Sequence, residues 1–435
     1  MLAHGVGARA DLPLPEGLVR AGAAIALVAS FVALAALWRS PRLRGDLAGR
    51  PLPAGLARLV DHPVTTGLLR LVVLGLSLVV LGAALFGDPL QQYNIAPWAL
   101  YITFWVGLVP ASLLLGPVWG RLNPLRTVYA GVARLTGPAP MAGTLPRLGL
   151  WPGALSLLAF AWMELAAPDR GEPRRVGLFL LAYAIVQLFA AVWFGAGWFA
   201  QGDGFEVWSR LLGRLAVVGR RADGALVWRN PLDGMSGQAP LRGLSAVVVV
   251  LIGTTAFDGV TRTQRWQDWR HGQEGDALVA TLALLACVAV VAVLFTLGAG
   301  LAGRAAGRGG VVERYAASLV PIAAGYAVAH YFSLFLFEGQ TTWILASDPF
   351  GRGWDLFGTV GTAVDFAVVS DRTISLVQVV AIVGAHLVGL VLAHDRALEI
   401  DAEGGGRPHT PWAAQLPMLL VMVVLTWSGL LLLLG

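Results

Sequence analysis

The hydrophobic positions of this chain form ten long runs of about 16 to 24 residues each, separated by polar segments that carry arginine. An α-helix of about 20 apolar residues crosses a hydrocarbon core of roughly 30 Å. Only helices and closed barrels satisfy all their backbone polar groups in lipid. The pattern therefore predicts an all-α fold, a polytopic membrane helix bundle of about ten transmembrane helices. We expect residues 1–435 to form one membrane domain.

The predicted spans lie, in chain order, near residues 18–38, 67–86, 97–119, 150–168, 176–199, 244–259, 277–301, 315–337, 373–394 and 411–434. Alternate connections carry about twice as many arginines as the others, and positively charged connections of this length stay in the cytoplasm. With an even number of spans, this bias predicts that both termini lie outside. The polar stretch 1–16 is then an external tail, and its pattern is not that of a signal peptide.

Composition supports a membrane protein, because 57% of the residues are hydrophobic, 13% are charged and the mean hydropathy is +0.70. All 31 basic residues are arginine, which together with 54 glycines is typical of a GC-rich bacterial genome. In a soluble protein the net charge of +5 would suggest nucleic acid as a partner. Here the arginines orient helices in the lipid bilayer, so we expect no nucleic-acid partner. The single cysteine, Cys287, excludes an intrachain disulfide and a CxxC metal site.

Two connections are longer than a turn between helices needs. Residues 201–243 place arginines beside Phe205, Trp208 and Leu211, which predicts an amphipathic helix lying at the cytoplasmic membrane interface. Residues 338–371 are acidic, aromatic and rich in glycine, which predicts an irregular external loop that caps the bundle. No fixed-period repeat accompanies these segments.

Ionisable residues inside a membrane span are costly, so they mark candidate sites. His330 lies within the eighth run, Asp258 ends the sixth, and Glu164 lies near the end of the fourth. All three fall at similar depth in the predicted outer half. We therefore predict a site with two groups of residues. The candidate catalytic residues are His330, Asp258, Ser333 and Glu338, and the candidate metal ligands are His4, Asp11, His330, Asp258, Asp348 and Asp355.

Histidine and carboxylate ligands suit zinc or another divalent metal, which lowers the pKa of a bound water and generates hydroxide. The same residues without metal suit a proton relay or a cation pathway. Each residue also has a purely structural interpretation: His330 as a partner of a backbone carbonyl, Asp258 as a helix-end cap, and the loop aspartates as Asx turns. No HExxH or GxSxG spacing decides between these interpretations.

Six stretches resemble a family of bacterial, largely actinobacterial, multi-pass membrane proteins that bear the name fenitrothion hydrolase. They are HGVGARADLPLP (4–15), RLNPLR (121–126), GTTAFDG (253–259), AHYFSLFLFE (329–338), SDPFGRGWDLFGT (347–359) and LVLAHDRAL (390–398). The resemblance covers essentially the whole chain. It implies hydrolysis of an organophosphorus phosphotriester or related ester, an apolar substrate that partitions into the membrane. It implies no catalytic residues by role.

Two classes of function remain open. The first is a membrane-embedded hydrolase, in which a metal activates water against a phosphotriester at the outer face of a bacterial cell membrane. The second is a transporter, channel or membrane assembly component without hydrolytic activity. The sequence leaves the physiological substrate, the metal and the oligomeric state open.

Overall fold

The computed structural model describes residues 16–270, 277–403 and 412–434, which form a bundle of α-helices. The predicted ligands His4 and Asp11 lie outside the described residues. The helices are α1 (Glu16–Leu37), α2 (Ala54–Asp61), α3 (Pro63–Phe86), α4 (Ile95–Trp98), α5 (Leu108–Leu115), α6 (Val118–Leu122), α7 (Pro124–Thr136), α8 (Leu145–Leu148), α9 (Trp151–Leu165), α10 (Pro173–Phe194), α11 (Phe199–Gly202), α12 (Gly204–Arg214), α13 (Pro231–Ser236), α14 (Leu244–Arg262), α15 (Gln264–Arg270), α16 (Ala277–Ala305), α17 (Val312–Ala316), α18 (Val320–Leu345), α19 (Asp371–Ala402) and α20 (Trp412–Leu434).

Three further kinds of element complete the chain. A π-helical segment, Ala99–Val106, joins α4 to α5. The strands are β1 (Arg50–Pro51), β2 (Val218–Arg220) and β3 (Leu226–Trp228). Short 3-10 turns occupy Gly45–Leu47, Gln91–Tyr93, Ala142–Thr144, Ala196–Trp198 and Ala317–Leu319.

Eight helical segments of the described chain are long and apolar enough to cross a membrane: Pro63–Phe86, Ile95–Leu115, Pro173–Phe194, Leu244–Arg262, Ala277–Ala305, Val312–Leu345, Asp371–Ala402 and Trp412–Leu432. A ninth arises if the pair Ala142–Leu148 and Trp151–Leu165, bent by 69°, is counted as one span. The apolar part of α1, Ala21–Leu37, is shorter. The predicted all-α, multi-pass membrane fold is thus confirmed. The count of about ten spans stays a prediction.

Helices α14 and α18 lie at the centre of the bundle, whereas α3 lies at its periphery. In the span that contains α14, 67% of the most apolar window is buried, against 11% for α3. Glycines allow the central helices close contact. A Cβ at Gly325 of α18 would lie 2.2 Å from the Cβ of Ala385 on α19, and one at Gly253 of α14 would lie 2.6 Å from the Cα of Val288 on α16. Such close backbone approach is how helices associate in lipid.

The connections meet at two ends of the bundle. We call the end formed by residues 38–62, 116–150, 195–243 and 306–311 the arginine-rich end, and the end formed by residues 87–94, 166–172, 263–270 and 346–370 the cavity end. At the arginine-rich end the strands form an antiparallel sheet in the order β1-β3-β2, with Arg50 opposite Trp228 and Gly219 opposite Val227.

The structure differs from the prediction of an interfacial helix within residues 201–243. A helix does form there, as α12, and Asp203 caps its N-terminus. However, its apolar side chains Phe205, Trp208 and Leu212 are buried in the hydrophobic core. The amphipathic pattern predicted a helix correctly, but its apolar face packs against protein and not against lipid.

The long connection at the cavity end has irregular backbone and begins at residue 346, because α18 continues to Leu345. That it lies outside the membrane and caps the bundle stays a prediction. Its first part is bound to the bundle, since the backbone N–H groups of Asp88 and Ile95 donate to the carbonyl oxygens of Phe350 (2.8 Å) and Pro349 (3.4 Å). Its second part is largely exposed, including Trp354 (41%) and Phe357 (59%). These two aromatic side chains are therefore not buried against the bundle.

Candidate functional site

Asp258 and His330 form a buried pair between the two central helices. His330 Nε2 lies 2.6 Å from Asp258 Oδ2, and the residues are 4% and 6% exposed, His330 being the more buried. The pair forms because the cavity-end half of α14 packs against α18. The sequence predicted that these two side chains lie at similar depth and face one polar site, and the structure brings them together as a hydrogen-bonded pair.

Three further side chains surround the pair. Arg262, four residues after Asp258 on α14, points Nη2 at Asp258 Oδ2 from 3.4 Å, and the Tyr331 hydroxyl donates to the same oxygen at 3.4 Å. The Tyr326 ring stacks on the imidazole of His330 with centroids 5.9 Å apart. Nδ1 of His330 is buried and has no hydrogen-bond partner among the described residues.

Asp258 borders a cavity of about 260 Å³ at the cavity end, which we call the Asp258 cavity. It is lined by charged, amide and aromatic side chains together with a few apolar ones. The lining residues are Gln91, Gln92, Pro97, Trp98, Tyr101, Ile102, Glu164, Leu165, Arg170, Asp258, Arg262, Tyr331, Leu334 and Glu338. His330 is not among them, so the carboxylate faces the cavity and the imidazole lies behind it.

The cavity wall includes irregular backbone. Tyr101 and Ile102 belong to the π-helical segment Ala99–Val106, and Arg170 follows the end of α9. Non-helical backbone at membrane depth is tolerated where it lines a cavity or is buried in protein. Single-turn π-helical insertions are frequent at functional sites. The π-helical segment is thus a second, independent feature that indicates a functional site at the Asp258 cavity.

The other predicted site residues divide into two groups. Glu338 lines the Asp258 cavity, whereas Ser333 is half-buried and lies outside its lining. Asp348 and Asp355 hold loop backbone: Asp348 accepts from the N–H groups of Arg352 (2.8 Å) and Gly353 (2.6 Å), and Asp355 accepts from Val360 at 3.3 Å. For these two aspartates the structural interpretation accounts for the contacts.

The described residues contain no group of three or more histidine, cysteine, aspartate or glutamate side chains arranged to hold a metal ion. Asp258 and His330 supply two donors, and a zinc site generally uses at least three protein ligands. Of the predicted ligands, only His4 and Asp11 fall outside the part of the chain that the structure describes. The predicted metal site therefore stays a prediction that depends on them.

Sequence reasoning missed three groups that matter for the geometry: Arg170, Arg262 and Tyr331. A signal existed for Arg262, because a residue four positions after Asp258 lies on the same face of a helix. Tyr331 directly follows His330 in sequence and still contacts the same carboxylate. Arg170 lies in a connection and carried no signal in the pattern.

A second polar cluster lies at the arginine-rich end, and we call it the Asp203 network. Both oxygens of Asp203 accept hydrogen bonds, from Asn123 Nδ2 (2.8 Å) and from the Tyr183 hydroxyl (2.9 Å). Arg126 forms a two-pronged ion pair with the buried Glu206, with both N···O distances at 2.7 Å. Burial and the nearby Glu206 carboxylate raise the pKa of Asp203 to about 6.

The stretches that carry the family resemblance fall on distinct parts of this structure. GTTAFDG and AHYFSLFLFE contribute Asp258 and His330, and RLNPLR contributes Asn123 and Arg126 to the Asp203 network. LVLAHDRAL contributes Asp395, whose Oδ1 accepts from Trp38 Nε1 at 2.9 Å and so holds the end of α1. Of the stretches that the structure describes, GTTAFDG and AHYFSLFLFE are the ones that contribute residues to the wall of the Asp258 cavity.

The fold and the cavity define a class: an integral membrane protein, built as an α-helical bundle with a cavity near one end that is lined by charged, amide and aromatic side chains. Comparisons with protein-family models, with curated proteins and with solved structures gave no match. The resemblance to the fenitrothion hydrolase family accordingly rests on the sequence stretches alone.

Proposed function

We propose that this integral membrane protein transports a small polar solute across a bacterial cell membrane and exchanges a proton at Asp258 while it does so. The observation that carries the proposal is the position of the Asp258–His330 pair. The carboxylate borders a cavity of about 260 Å³ within the bundle, and the imidazole stands behind it at 2.6 Å. Ionisable pairs inside spans commonly serve proton relays and substrate pathways.

The order of the two groups favours proton exchange over nucleophilic catalysis. In a serine-type hydrolase the imidazole contacts the reacting group and the carboxylate orients it from behind. Here the order is reversed, because Asp258 borders the cavity and His330 does not. A proton that enters from the cavity therefore reaches the Asp258 carboxylate before it reaches the imidazole. Protonation neutralises this carboxylate, which lies 3.4 Å from Arg262, and so changes how strongly the cavity attracts a charged solute.

An uptake experiment tests this proposal. Three cell lines are compared: cells that express the wild type, cells that express Asp258→Asn, and cells without this protein. Each is given a mixture of isotope-labelled metabolites, and the metabolites inside the cells are measured by mass spectrometry with and without a protonophore. We expect at least one solute to accumulate only in wild-type cells, and to be lost with Asp258→Asn or the protonophore.

Asp355→Asn provides the matched control. Asp355 is an exposed loop carboxylate whose oxygen accepts from the Val360 N–H, and asparagine keeps that acceptor. Uptake by this variant should equal that of the wild type. If no solute distinguishes wild-type cells from cells without the protein, the transport proposal is wrong.

Hydrolysis of an organophosphorus or related ester is the second candidate function. It is favoured by the fact that two stretches of the family resemblance, GTTAFDG and AHYFSLFLFE, meet in the Asp258–His330 pair. In this scheme Asp258 acts as general base toward water, and Arg262 and Arg170 stabilise charge that develops on the phosphoryl oxygen. If His4 or Asp11 completes a zinc site, the metal supplies a hydroxide nucleophile.

Purified protein in lipid nanodiscs, assayed with a phosphotriester that releases nitrophenolate, tests this second candidate. Wild type should release nitrophenolate faster than Asp258→Asn, and elemental analysis should find bound metal if the zinc form of the scheme holds. Equal rates for wild type and Asp258→Asn would rule out hydrolysis at this site.

The orientation in the membrane is also proposed: ten spans, with both termini outside. The support is the arginine bias. The alternate connections that carry more arginine lie together at one end of the bundle, and such connections stay in the cytoplasm. Single cysteines at Ala222 and Gly361, introduced into a Cys287→Ser background, allow labelling of intact cells with an impermeant reagent. We expect labelling at position 361 and none at 222, and the opposite result would invert the topology.

A further inference from the structure

The charges around the Asp258 cavity are only partly balanced. Asp258 has Arg262 and His330 as close partners. By contrast, Glu164 and Glu338 line the cavity without a side-chain hydrogen bond or ion pair among the described residues. Arg170 donates from Nη1 to the carbonyl oxygen of Leu165 at 3.1 Å and has no carboxylate partner among them. The cavity therefore presents both a carboxylate and a guanidinium to whatever enters it.

The polar atoms of Trp98 and Tyr101 in the cavity wall already form hydrogen bonds with the protein backbone. The Tyr101 hydroxyl donates to the Arg170 carbonyl at 2.9 Å, and Trp98 Nε1 donates to the Gln91 carbonyl at 3.2 Å. These bonds turn the polar tips of the two rings toward the protein and leave ring carbons in the cavity wall. Aromatic carbons suit the apolar part of a ligand and also attract ammonium groups.

The size of the cavity limits the ligand. At about 30 Å³ for each water molecule, a volume of about 260 Å³ corresponds to roughly nine waters. This is room for a metabolite of about that many non-hydrogen atoms. A molecule with one cationic group, one anionic group and a short apolar part matches both the volume and the lining.

Resting on the proposed function, we propose that the ligand of the Asp258 cavity is a small zwitterion of the α-amino-acid type. Its ammonium group binds the Glu164 carboxylate, and its carboxylate binds the guanidinium of Arg170. The aromatic side chains Trp98 and Tyr101 contact its apolar part. A neutral triester would instead leave the Glu164 carboxylate, which is partly buried, without a charged partner in the cavity, which is unfavourable.

The test uses the full-length protein in nanodiscs and a mixture of the twenty common amino acids, with retained compounds identified by mass spectrometry. For each amino acid retained, binding is repeated with its decarboxylated amine and its deaminated acid. We expect both analogues to bind about tenfold to hundredfold more weakly, since each loses one charged hydrogen-bonded pair. Retention of none of the twenty, or binding of either analogue as tight as that of the amino acid, overturns the inference.

Two variants assign the two ends of the ligand. Glu164→Gln should weaken the binding of the amino acid and of its amine analogue alike, and it should leave the binding of the acid analogue unchanged. Arg170→Gln should remove most of the preference for the amino acid over the amine. This preference is a ratio measured on one protein sample, so it stays meaningful if a variant folds in lower yield. Glu172→Gln and Arg174→Gln, exposed neighbours outside the cavity, are the matched controls and should bind as the wild type does.

The inference and the proposed function fail in different ways. If no amino acid is retained while Asp258-dependent uptake of another solute is observed in cells, transport stands and the ligand class is wrong. If no amino acid is retained and uptake shows no dependence on Asp258, both are wrong.

Discussion

The Asp203 network and the Asp258 cavity are both polar clusters inside an apolar bundle, yet they are built differently. In the Asp203 network each carboxylate oxygen has a donor, as in the two-pronged pair between Arg126 and Glu206. At the Asp258 cavity, His330 Nδ1 lacks a hydrogen-bond partner among the described residues, and Glu164 has no ion pair there. One cluster is complete, whereas the other leaves a buried imidazole nitrogen without a partner and places the Glu164 carboxylate in a cavity wall without an ion pair.

This difference indicates different roles. A buried polar network in which every member is satisfied rigidifies the fold and specifies one packing. A cluster that leaves charged groups available to a cavity costs stability and is retained where a ligand completes it. We therefore expect changes in the Asp203 network to affect folding strongly. Changes at the Asp258 cavity should affect binding far more than folding.

The largest expected effect on stability comes from Arg126→Ala. The change removes both 2.7 Å contacts of the guanidinium with the carboxylate of Glu206, which is 1% exposed, and leaves it with the longer contacts to Arg210 (3.9 Å) and Asn123 (3.4 Å). Breaking a buried ion pair from one side typically costs about 3–5 kcal/mol. Unfolding in detergent micelles, followed by circular dichroism, measures the loss. Arg134→Ala, an exposed position on the same helix, should change stability by less than about 0.5 kcal/mol, and equal losses for the two variants would contradict the role assigned to the buried ion pair.

The pH dependence of stability tests Asp203. Because burial raises its pKa from 3.8 to about 6, the folded protein binds this proton more tightly than the unfolded chain does. The contribution of Asp203 to the free energy of unfolding is thus fully present below about pH 4. As the pH rises through about 6, the protein loses about 3 kcal/mol of this contribution. Asp203→Asn should remove this part of the pH dependence of the thermal midpoint. A wild-type and variant difference that stays constant from pH 4 to pH 7 would contradict the assignment.

A smaller effect is expected in the long connection at the cavity end. Ser347 is fully buried, and its hydroxyl accepts from the backbone N–H groups of Phe357 (3.0 Å) and Thr359 (3.2 Å). Ser347→Ala leaves both donors without this acceptor, which costs about 1–3 kcal/mol. Hydrogen exchange across residues 347–359 should become faster. Ser333→Ala on the preceding helix should leave this exchange unchanged, and so should Ser347→Ala if the loop is not held by the hydroxyl.

The smallest effect on stability is expected for Glu164→Gln at the Asp258 cavity. Glu164 forms no ion pair among the described residues. Replacing its carboxylate by an amide therefore removes the free-energy cost of desolvating a charge and breaks no ion pair. Stability should stay within about 0.5 kcal/mol of wild type or increase. Glu206→Gln, the same chemical change in the Asp203 network, should be clearly destabilising. Similar losses from both would mean that the two clusters do not differ as proposed.

The sequence was sufficient to predict most of the helices. The run near 277–301 became α16, and the run near 373–394 became the core of α19, because a long apolar stretch in lipid satisfies its backbone polar groups by forming a helix. The surroundings of the helices were harder to predict. The alternation of polar and apolar residues in α12 predicts a helix with one apolar face, but the same face suits lipid or protein equally well.

The candidate site shows the same division. Asp258 and His330 could be singled out because an ionisable residue within an apolar run is costly wherever that run packs. That the two share a hydrogen bond across 72 positions of sequence depends on how α14 packs against α18. The aspartates of the loop looked similar to Asp258 in sequence, yet Asp348 binds backbone N–H groups.

Local composition and the partition of side chains between water and lipid were enough to predict that the chain lies in a membrane, that it forms helices and that its intramembrane charges are costly. Which of these charges are satisfied and which face a cavity depends on the packing of the helices. Arg170 illustrates the reason: it lies in a short connection, and its place in the cavity wall follows from where α9 ends relative to α14 and α18. Such relations come from side-chain packing between distant segments, and a one-dimensional pattern does not encode them.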